Sequence, residues 1–502
     1  MDALLGLDVG TTSTKAVLFD LHGTEIAHAS SPPYRNIMPQ PGWVEQDPEE
    51  IWQALLTAVA TITQQIDQSV QVRALCMAVQ SGSLLPAGAA GQPVYPLITW
   101  MDGRTQNLVS EWRTAGLEAQ IKPLNGWSLY PSMCLPTIAW LRRHDPHTFA
   151  AARHYFSLND FITFRLTGIT CTNPSNGGGM QLIDIHSGQW SAEICELAGI
   201  TPAQLSPIQP SGSIIGTLKP EICRAAGLSP DTVLVNGGHD QGCTALGLGV
   251  NDPGRLLLAC GTAWVITGVV DSDDMRRVPA KLDWNFHPGH VYLGNGRWTI
   301  SQSLGGLGAS LEWWLNQAWA GINGQTSRDQ MFAALDAELT QTKPGSGLFF
   351  TPLTGGHDDS SGMQCGQFWG LQLSHNRADL ARAVLQSAAF ELRWALEPTR
   401  QAGLPIERLW MVGGAAQSPH WPTILADVTN IPIRLPQYHN WPALGAAVLA
   451  GVGCGAFESI AEGLSHFQKP APEITPNAAL RSTYDEMFAA YKNALHCIQE
   501  TK

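Results

Sequence analysis

Two segments of this chain, about half its length apart, follow the same pattern of strand, Gly-Thr bend and strand. Residues 4–9 are apolar, residues 10–14 form a small polar bend, and residues 15–20 are apolar again. Further along, residues 256–260 are apolar, Gly261-Thr262 forms the bend, and residues 263–270 are rich in β-branched side chains. The sequence has no repeat with the period of 20 to 50 residues that is typical of a solenoid. The recurrence of the hairpin pattern therefore predicts two related halves.

The segments between and after these hairpins alternate between helical and strand-like patterns. The helices are predicted at 48–65, 377–402 and 443–453, and the strands at 72–79 and 408–412. Asp47, with Glu50 three residues later, is typical of a capped helix start. Such alternation indicates α/β domains with parallel or mixed sheets. Because 502 residues are too many for one compact core, we expect two domains, at 1–245 and 246–502.

Composition excludes several classes of partner and site. A net charge of −13 and an isoelectric point near 5.6 argue against nucleic-acid or anionic-membrane partners, which need a basic face. The ten cysteines are scattered without CxxC or zinc-type spacing, so they are expected to be reduced and mostly buried. The apolar run at 256–270 is too short to span a bilayer, and the first residues do not resemble a secretory signal. A cytoplasmic location is therefore expected.

The first bend has a composition suited to binding an anion. Glycine followed by small hydroxyl residues lets backbone N–H groups approach an anion closely. Lys15 adds positive charge, and Asp8 can hold a magnesium ion through water. The alternative is an ordinary hairpin with a Gly-Thr turn, because the bend has neither Walker A nor GxGxxG spacing.

Two further turns make nucleotide binding the favoured interpretation. Gly261-Thr262 at the tip of the second hairpin can face the first bend and clamp the other end of a polyphosphate. A third glycine turn, at 413–418, follows a predicted strand and precedes helical sequence. Its bare backbone can lie against a flat nucleobase or a ribose.

These three turns resemble the phosphate-1, phosphate-2 and adenosine motifs of the actin/hexokinase/Hsp70 ATPase fold. More specifically, the chain resembles the FGGY family of carbohydrate kinases. The resemblance rests on PGWVEQDP at 41–48, WMDGR at 100–104, GGHDQ at 237–241 and GLGASLEW at 306–313, in that order. It implies a two-domain α/β, ribonuclease H-like fold with the active site in the cleft between the domains. It also implies ATP and Mg²⁺ as cofactors.

The resemblance further implies a role for each matching residue. Asp240 would be the catalytic base that takes the proton from the sugar hydroxyl. The alternative is that Asp240 only caps the turn that follows Gly-Gly. Asp8 and Asp240 would hold Mg²⁺. The nucleotide-binding residues implied are Gly10, Thr11, Thr12, Lys15, Gly261, Thr262, Gly308, Gly413, Gly414, Ala415 and Ser418. The sugar-binding residues implied are Gln80, Ser81, Trp100, Asp102, Arg104, Asp240 and Gln241, with Arg104 either ordering Asp102 or meeting the sugar.

The residues after the strand at 72–79 bear on which sugar is bound. The chain reads Gln80-Ser81-Gly82 there, where xylulokinases usually carry Met-His-Gly and glycerol kinases carry an Arg-Glu pair. This version is more similar to the L-xylulose kinases of the family. We expect a ketopentose such as xylulose, phosphorylated to xylulose 5-phosphate. The alternatives are a kinase of glycerol, gluconate or ribulose, and a non-catalytic actin-like nucleotide switch. The expected partners are the sugar and ATP, and association into a homodimer is left open.

Overall fold

The computed structural model describes residues 1–261, 263–271, 274, 287–291, 297–319, 327–353, 355–356 and 366–499. Its strands, in chain order, are β1 (Asp2–Val9), β2 (Thr14–Asp20), β3 (Glu25–Ser30), β4 (Glu45–Gln46), β5 (Gln71–Val79), β6 (Leu84–Ala87), β7 (Leu97–Ile98), β8 (His154–Ser157), β9 (Ile183–Asp184), β10 (Gln189–Trp190), β11 (Ile214–Thr217), β12 (Val233–His239), β13 (Gly254–Cys260), β14 (Trp264–Val270), β15 (His287–Val291), β16 (Trp298–Ser303), β17 (Phe349–Thr351), β18 (Gln367–Trp369), β19 (Ile406–Val412), β20 (Ile433–Arg434) and β21 (Glu473–Ile474).

The α-helices of the described residues lie between and after these strands. In chain order they are α1 (Pro48–Gln65), α2 (Gln106–Thr114), α3 (Leu117–Asn125), α4 (Cys134–His144), α5 (Pro146–Ala151), α6 (Leu158–Thr167), α7 (Pro174–Gly179), α8 (Ala192–Ala198), α9 (Pro220–Ala226), α10 (Asp240–Gly247), α11 (Leu307–Trp319), α12 (Arg328–Leu339), α13 (Arg377–Gln401), α14 (Trp421–Thr429), α15 (Trp441–Gly453), α16 (Ile460–Phe467) and α17 (Arg481–Gln499). Short 3₁₀ helices add Pro202–Gln204, Gly414–Gln417 and Ala478–Leu480. The predicted strands and helices are confirmed, with ends that differ by a few residues.

Two large sheets repeat one arrangement of five strands. In the first sheet, of order β11-β12-β5-β1-β2-β3, the β1/β2 hairpin is antiparallel while β5 and β12 run parallel to β1. In the second, of order β15-β16-β14-β13-β19-β20-β21, the β13/β14 hairpin is antiparallel while β19 and β20 run parallel to β13. The prediction of an α/β chain with two related halves is therefore confirmed.

Local chemistry explains how the first helix begins. The Asp47 carboxylate caps α1 by accepting a hydrogen bond from the backbone N–H of Glu49 at 2.9 Å. Glu50, which the sequence pattern placed in a capping box, instead pairs with Arg35 at 3.4 Å. The apolar face of α1 packs on the first sheet through its buried Ile51, Leu55, Val59 and Ile62, and Trp52 is buried with them.

Helix α15 joins the two halves of the chain. It comes from the second half in sequence, yet it packs against α10 and against β1, β5 and β12 of the first sheet. Its Ala- and Gly-rich sequence permits this close approach, because a Cβ built on Gly445 would lie 2.0 Å from the carbonyl oxygen of Cys243. This segment therefore packs tightly against α10.

The connection between the sheets follows α10. The predicted boundary at residue 245 lies inside this helix, and we propose residues 248–253, between α10 and β13, as the point of division. Among the described residues, no helix combines the length and the apolar character needed to cross a membrane. Eight cysteines whose side chains the structure describes are unpaired thiols: Cys454 is half-buried, and the buried ones are Cys76, Cys134, Cys171, Cys195, Cys223, Cys243 and Cys260.

Replacing Gly445 with alanine is expected to destabilise the protein. The added Cβ would overlap the Cys243 carbonyl, so helix α15 must move away from α10. Overpacking of this kind typically lowers the free energy of unfolding by about 1–3 kcal/mol. Urea unfolding followed by circular dichroism measures the change. Gly414→Ala is the control, because a Cβ there meets no atom within 4 Å. Equal midpoints for Gly445→Ala and the wild type would contradict this account of the packing.

Candidate functional site

Three parallel strands of the first sheet end at the same level. In the register of β1, β5 and β12, Asp8 pairs with Ala78, which pairs with Gly238, and Val9, Val79 and His239 follow one step on. Gly10, Gln80 and Asp240 therefore leave the sheet side by side at its carboxyl edge. This is where ligands bind in open α/β sheets. The structure brings together the predicted base, the first bend and the start of the predicted sugar-binding motif.

The electrostatics of this edge are set by two carboxylates. Burial, and then the negative charge of Asp240, raise the pKa of Asp8 to about 7, against the opposing effect of Lys15. The Lys15 Nζ lies 3.8 Å from Asp8 Oδ2 and keeps 44% of its side-chain surface exposed. The predicted pair of Asp8 and Asp240 thus faces one ammonium group at a partly enclosed site.

The side chain of Asp240 is held at the first turn of α10. His239 Nε2 lies 3.0 Å from Asp240 Oδ1, and the backbone N–H of His239 donates to Ser175 Oγ at 2.8 Å. Asp240 retains 25% of its side-chain surface exposed, so its carboxylate is oriented and still accessible. A neighbouring hydroxyl can therefore reach it.

The two carboxylates fit a magnesium ion that also binds phosphate oxygens. Mg²⁺ is usually held by one or two carboxylates together with phosphate and water. The mutual repulsion that raises the pKa of Asp8 is what a nearby cation would relieve. No group of three or more candidate metal ligands occurs among the described residues. The chemistry of this pair therefore suits a cation shared with a polyphosphate.

The first hairpin bend is fixed by groups from other parts of the domain. Tyr34 donates from its hydroxyl to the carbonyl of Gly10 at 2.9 Å, and Gln46 donates from Nε2 to the carbonyl of Thr11 at 2.8 Å. The backbone carbonyl of Thr12 accepts from the N–H of Tyr34 at 2.8 Å, and its side chain is exposed at the tip. The bend is therefore held in place before any ligand binds.

The predicted sugar-binding motif begins with a buried side-chain amide that has no hydrogen-bond partner among the described residues. Gln80 is 2% exposed, and neither its Oε1 nor its Nε2 is hydrogen-bonded. Gln241 Oε1 is likewise buried and unpaired, and Ser81 Oγ donates to the carbonyl of Asn176 at 3.4 Å. Each unsatisfied buried polar group costs about 1–3 kcal/mol. These amides are therefore available to a polar ligand.

The tryptophan of the second sugar motif is exposed at the same edge. Trp100 keeps 40% of its surface exposed, and its Nε1 donates to Thr11 Oγ1 at 3.0 Å. This bond ties the sugar-binding segment to the phosphate-1 hairpin. The indole face is left open beside the cleft.

Asp102 and Arg104 are placed differently from their predicted neighbours. The Arg104 side chain has no exposed surface; it donates to both carboxylate oxygens of Asp102 at 2.8 Å and to Glu45 Oε1 at 2.7 Å. Its guanidinium also lies 4.0 Å above the Trp43 ring. Of the two roles left open for Arg104, the geometry favours ordering Asp102, because contact with a sugar would require it to leave these partners.

A cavity of about 570 Å³ lies in the second half of the chain. Its wall includes the predicted nucleotide residues Gly261, Gly308, Gly414, Ala415 and Ser418. Pockets of this size commonly hold a cofactor. Thr262, predicted to bind phosphate beside Gly261, lies outside the described residues.

Gly413 precedes Gly414 of the cavity wall and packs against the end of β13. Its φ of +96° is a conformation that favours glycine, and a Cβ there would lie 2.5 Å from the carbonyl of Cys260. The adenosine turn therefore sits directly on the end of β13, beside the tip of the second hairpin. The structure thus brings the second and third predicted turns together.

Several residues at these sites were not found from the sequence. Asp329 and Asp336 of α12, with Glu312 of α11, line the cavity, and Asp336 Oδ1 is buried without a hydrogen-bond partner. Acidic residues on an amphipathic helix carry no signal that separates them from an ordinary solvated face. Ser175 lies in a run of small residues ending in three glycines. This composition could have predicted that the segment approaches another part of the backbone closely.

Comparison with known proteins agrees with this geometry. The sequence profiles of the FGGY family of carbohydrate kinases match residues 3–247 (N-terminal domain) and 259–454 (C-terminal domain). The chain is 27% identical to the L-xylulose/3-keto-L-gulonate kinase of Escherichia coli K12 over 501 residues, covering 99% of this chain and 97% of that protein. It is 28% identical to the xylulose kinase of Bacillus subtilis 168 over 498 residues, covering 98% and 96%.

Solved structures show the same architecture. The xylulose kinase from Rhodospirillum rubrum superposes with a TM-score of 0.91 at 26% identity, over 99% of both chains. A gluconate kinase from Lactobacillus acidophilus shares the fold, with a TM-score of 0.88 over 99% of this chain and 98% of that one, at 24% identity. The two-domain fold of the actin/hexokinase type is therefore confirmed. Because both domain profiles match in order over most of its length, this chain belongs to the FGGY family of carbohydrate kinases.

Proposed function

We propose that this sugar kinase phosphorylates a ketopentose, most specifically xylulose, with ATP, and that Asp240 is the general base. The observation that carries the proposal is the common edge at which Gly10, Gln80 and Asp240 leave the first sheet, with Asp8 near the end of β1. It combines an accessible carboxylate, an unpaired amide and a phosphate-type bend. The names of the relatives that are xylulose kinases support the choice of sugar.

The reaction follows from the placement of Asp240. The hydroxyl oxygen of the sugar attacks the γ-phosphorus, the bond to the β–γ bridging oxygen breaks, and ADP leaves. Asp240 takes the proton of that hydroxyl, while His239 keeps one carboxylate oxygen oriented. Bound Mg²⁺ would neutralise charge on the phosphate oxygens, held by Asp8 and Asp240. Gly10 and Gly261 would contribute backbone N–H groups to the phosphates.

The 570 Å³ cavity is the proposed adenosine site. Gly308 and Gly414 leave its wall open enough for a ribose and a flat base, and Ser418 borders it. Asp336 adds an unpaired acceptor to the same wall. The Cys260–Gly261 end of β13 connects this cavity to the second hairpin tip, which is where the phosphates would extend.

The proposed sugar site combines direct contacts and positioning groups. Gln80 and Gln241 offer unpaired amide groups to sugar hydroxyls, and Trp100 offers an exposed ring to its carbons. Asp102 and Arg104 do not contact the sugar in this proposal; they position the segment that carries Trp100. Without the Arg-Glu pair of the glycerol kinases, a five-carbon ketose is the better match to these groups.

Replacing the base is expected to abolish most turnover. Asp240→Asn keeps the shape of the side chain but cannot take a proton, so kcat should fall by about two to four orders of magnitude. A coupled ADP-release assay measures kcat, and calorimetry measures nucleotide affinity, which should hardly change. Asp231→Asn, at an exposed position, is the control. An Asp240→Asn enzyme with more than a tenth of wild-type kcat would remove Asp240 from this role.

Truncating the unpaired amide is expected to impair sugar binding alone. Gln80→Ala removes two hydrogen-bonding groups from the sugar site, so the KM for xylulose should rise about tenfold or more. The KM for ATP should stay the same, and Gln65→Ala on the exposed end of α1 should change neither.

The same assay tests the choice of substrate. A site built to pair each hydroxyl rejects analogues that lack one, so one xylulose enantiomer should exceed glycerol about a hundredfold in kcat/KM. If glycerol or a hexonate is the best substrate, the pentulose assignment fails and the kinase assignment stands.

The buried charge of Asp8 predicts a pH dependence of stability. Its folded-state pKa of about 7 lies above the ordinary value, so the penalty for burying the charge grows as pH rises from about 4 to about 7. In EDTA, Asp8→Asn should therefore raise the free energy of unfolding at pH 8 by about 1 kcal/mol or more, and less at pH 5. Urea unfolding at both pH values measures this difference. Asp231→Asn should leave the pH dependence unchanged, and an equal effect of Asp8→Asn at both pH values would contradict the assignment.

A further inference from the structure

A second cavity, of about 210 Å³, lies where the two halves of the chain are connected. Gly247 at the end of α10 and the following Leu248 and Gly249 form part of its wall. Gly247 is seven residues from Asp240 on the same helix, which corresponds to roughly 10 Å along the helix axis. The cavity is therefore separate from the proposed phosphoryl-transfer cleft, and none of the nucleotide or sugar residues discussed above lines it.

The charge of this cavity is unusual for an acidic protein. Its wall includes Arg255, Arg408, Arg434 and Lys469 and, among the residues that the structure describes, no acidic side chain, in a chain whose net charge is −13. Concentrating four cations in one small cavity raises their mutual repulsion. An anionic ligand would relieve that repulsion.

Nearby carboxylates compensate only part of this charge. Glu473 is shared between two cations, since its Oε2 lies 2.7 Å from Arg408 Nε and 3.0 Å from Arg434 Nε. Asp252 pairs with Arg255 at 3.0 Å and also with Arg297 at 2.8 Å. Lys469 is exposed and forms no ion pair with a residue that the structure describes. The cavity therefore keeps a net positive charge.

Aromatic residues hold the cationic groups in place. The guanidinium groups of Arg434 and Arg408 lie 5.4 and 5.9 Å from the centre of the Trp410 ring. Trp441 also lines the cavity, and its indole Nε1 is buried without a hydrogen-bond partner. Fixed guanidinium groups with an additional N–H donor match the oxygens of a phosphoryl group.

We propose that this cavity binds a phosphoryl group, either as inorganic phosphate or as part of a phosphate monoester. Its volume lies below the 300–1,000 Å³ typical of sites for larger ligands, so a small anion is favoured over a nucleotide. Arg434 and Lys469 approach it from different segments of the chain, one on β20 and one after α16. A phosphoryl group there would bridge these segments to the connection between the domains.

The test measures phosphate binding with the catalytic cleft blocked. The full-length protein, saturated with Mg²⁺ and the non-hydrolysable analogue β,γ-imido-ATP, is titrated calorimetrically with inorganic phosphate and, separately, with ribose 5-phosphate. Arg434→Gln and Lys469→Gln should each weaken binding about tenfold or more, because each removes a charge-assisted contact. Because Lys469 forms no ion pair with a described residue, Lys469→Gln does not break one. Thermal unfolding checks that both variants fold. Arg143→Gln, an exposed arginine paired with Glu111, is the matched control.

The two ligands distinguish the source of the phosphoryl group. Equal affinities support free phosphate as the occupant, and tighter binding of ribose 5-phosphate supports a phosphate monoester. Failure of both ligands to bind at 10 mM, or binding that neither variant weakens, would overturn the proposal.

Discussion

The parallel pairing of β1, β5 and β12 is the constraint on which the rest of the site depends. Because these strands end at one level, the residues that follow them are neighbours although about 70 and 160 positions separate them in sequence. The approach is close: a Cβ on Gly237 of β12 would lie 1.8 Å from the carbonyl of Met77 on β5. Glycine at position 237 is therefore required by the sheet packing, and any side chain there would displace the nearby Asp240.

The same edge stores unfavourable interactions. Asp8 carries a raised pKa because it is buried near another carboxylate, and Gln80 has two buried polar groups without partners. A structure selected for stability alone would pair or remove these groups. Arg104, in contrast, is hydrogen-bonded to Asp102 and Glu45. Because the unfavourable groups are concentrated at one edge, we infer that they bind a ligand. We propose that this contrast separates residues that contact the substrate from residues that position them.

Features that depend on neighbouring residues could be predicted from the sequence, whereas features that depend on contacts between distant residues could not. The hairpins and α1 were predictable because their signals are local, residing in alternation, a Gly-Thr bend and a capping Asp47. The burial of Asp102 and Arg104 was not, because it depends on the distant Glu45 and Trp43. The sequence identified both segments as motifs, at 41–48 and 100–104, without indicating that they form one unit. The acidic lining of the proposed adenosine cavity was not predicted, because it comes from helices whose polar faces resemble ordinary surface.

The motif at 41–48 gains a physical meaning from this unit. Its Glu45 holds Arg104, the N–H of Val44 donates to Asp102 Oδ2 at 2.6 Å, and Gln46 donates to the phosphate-1 bend. One short segment thus connects the buried ion pair, the loop that carries Trp100 and the bend beside Asp8. A change in any of these contacts would alter the sugar side and the phosphate side of the cleft together. We propose that this segment couples the proposed sugar site to the proposed phosphate site.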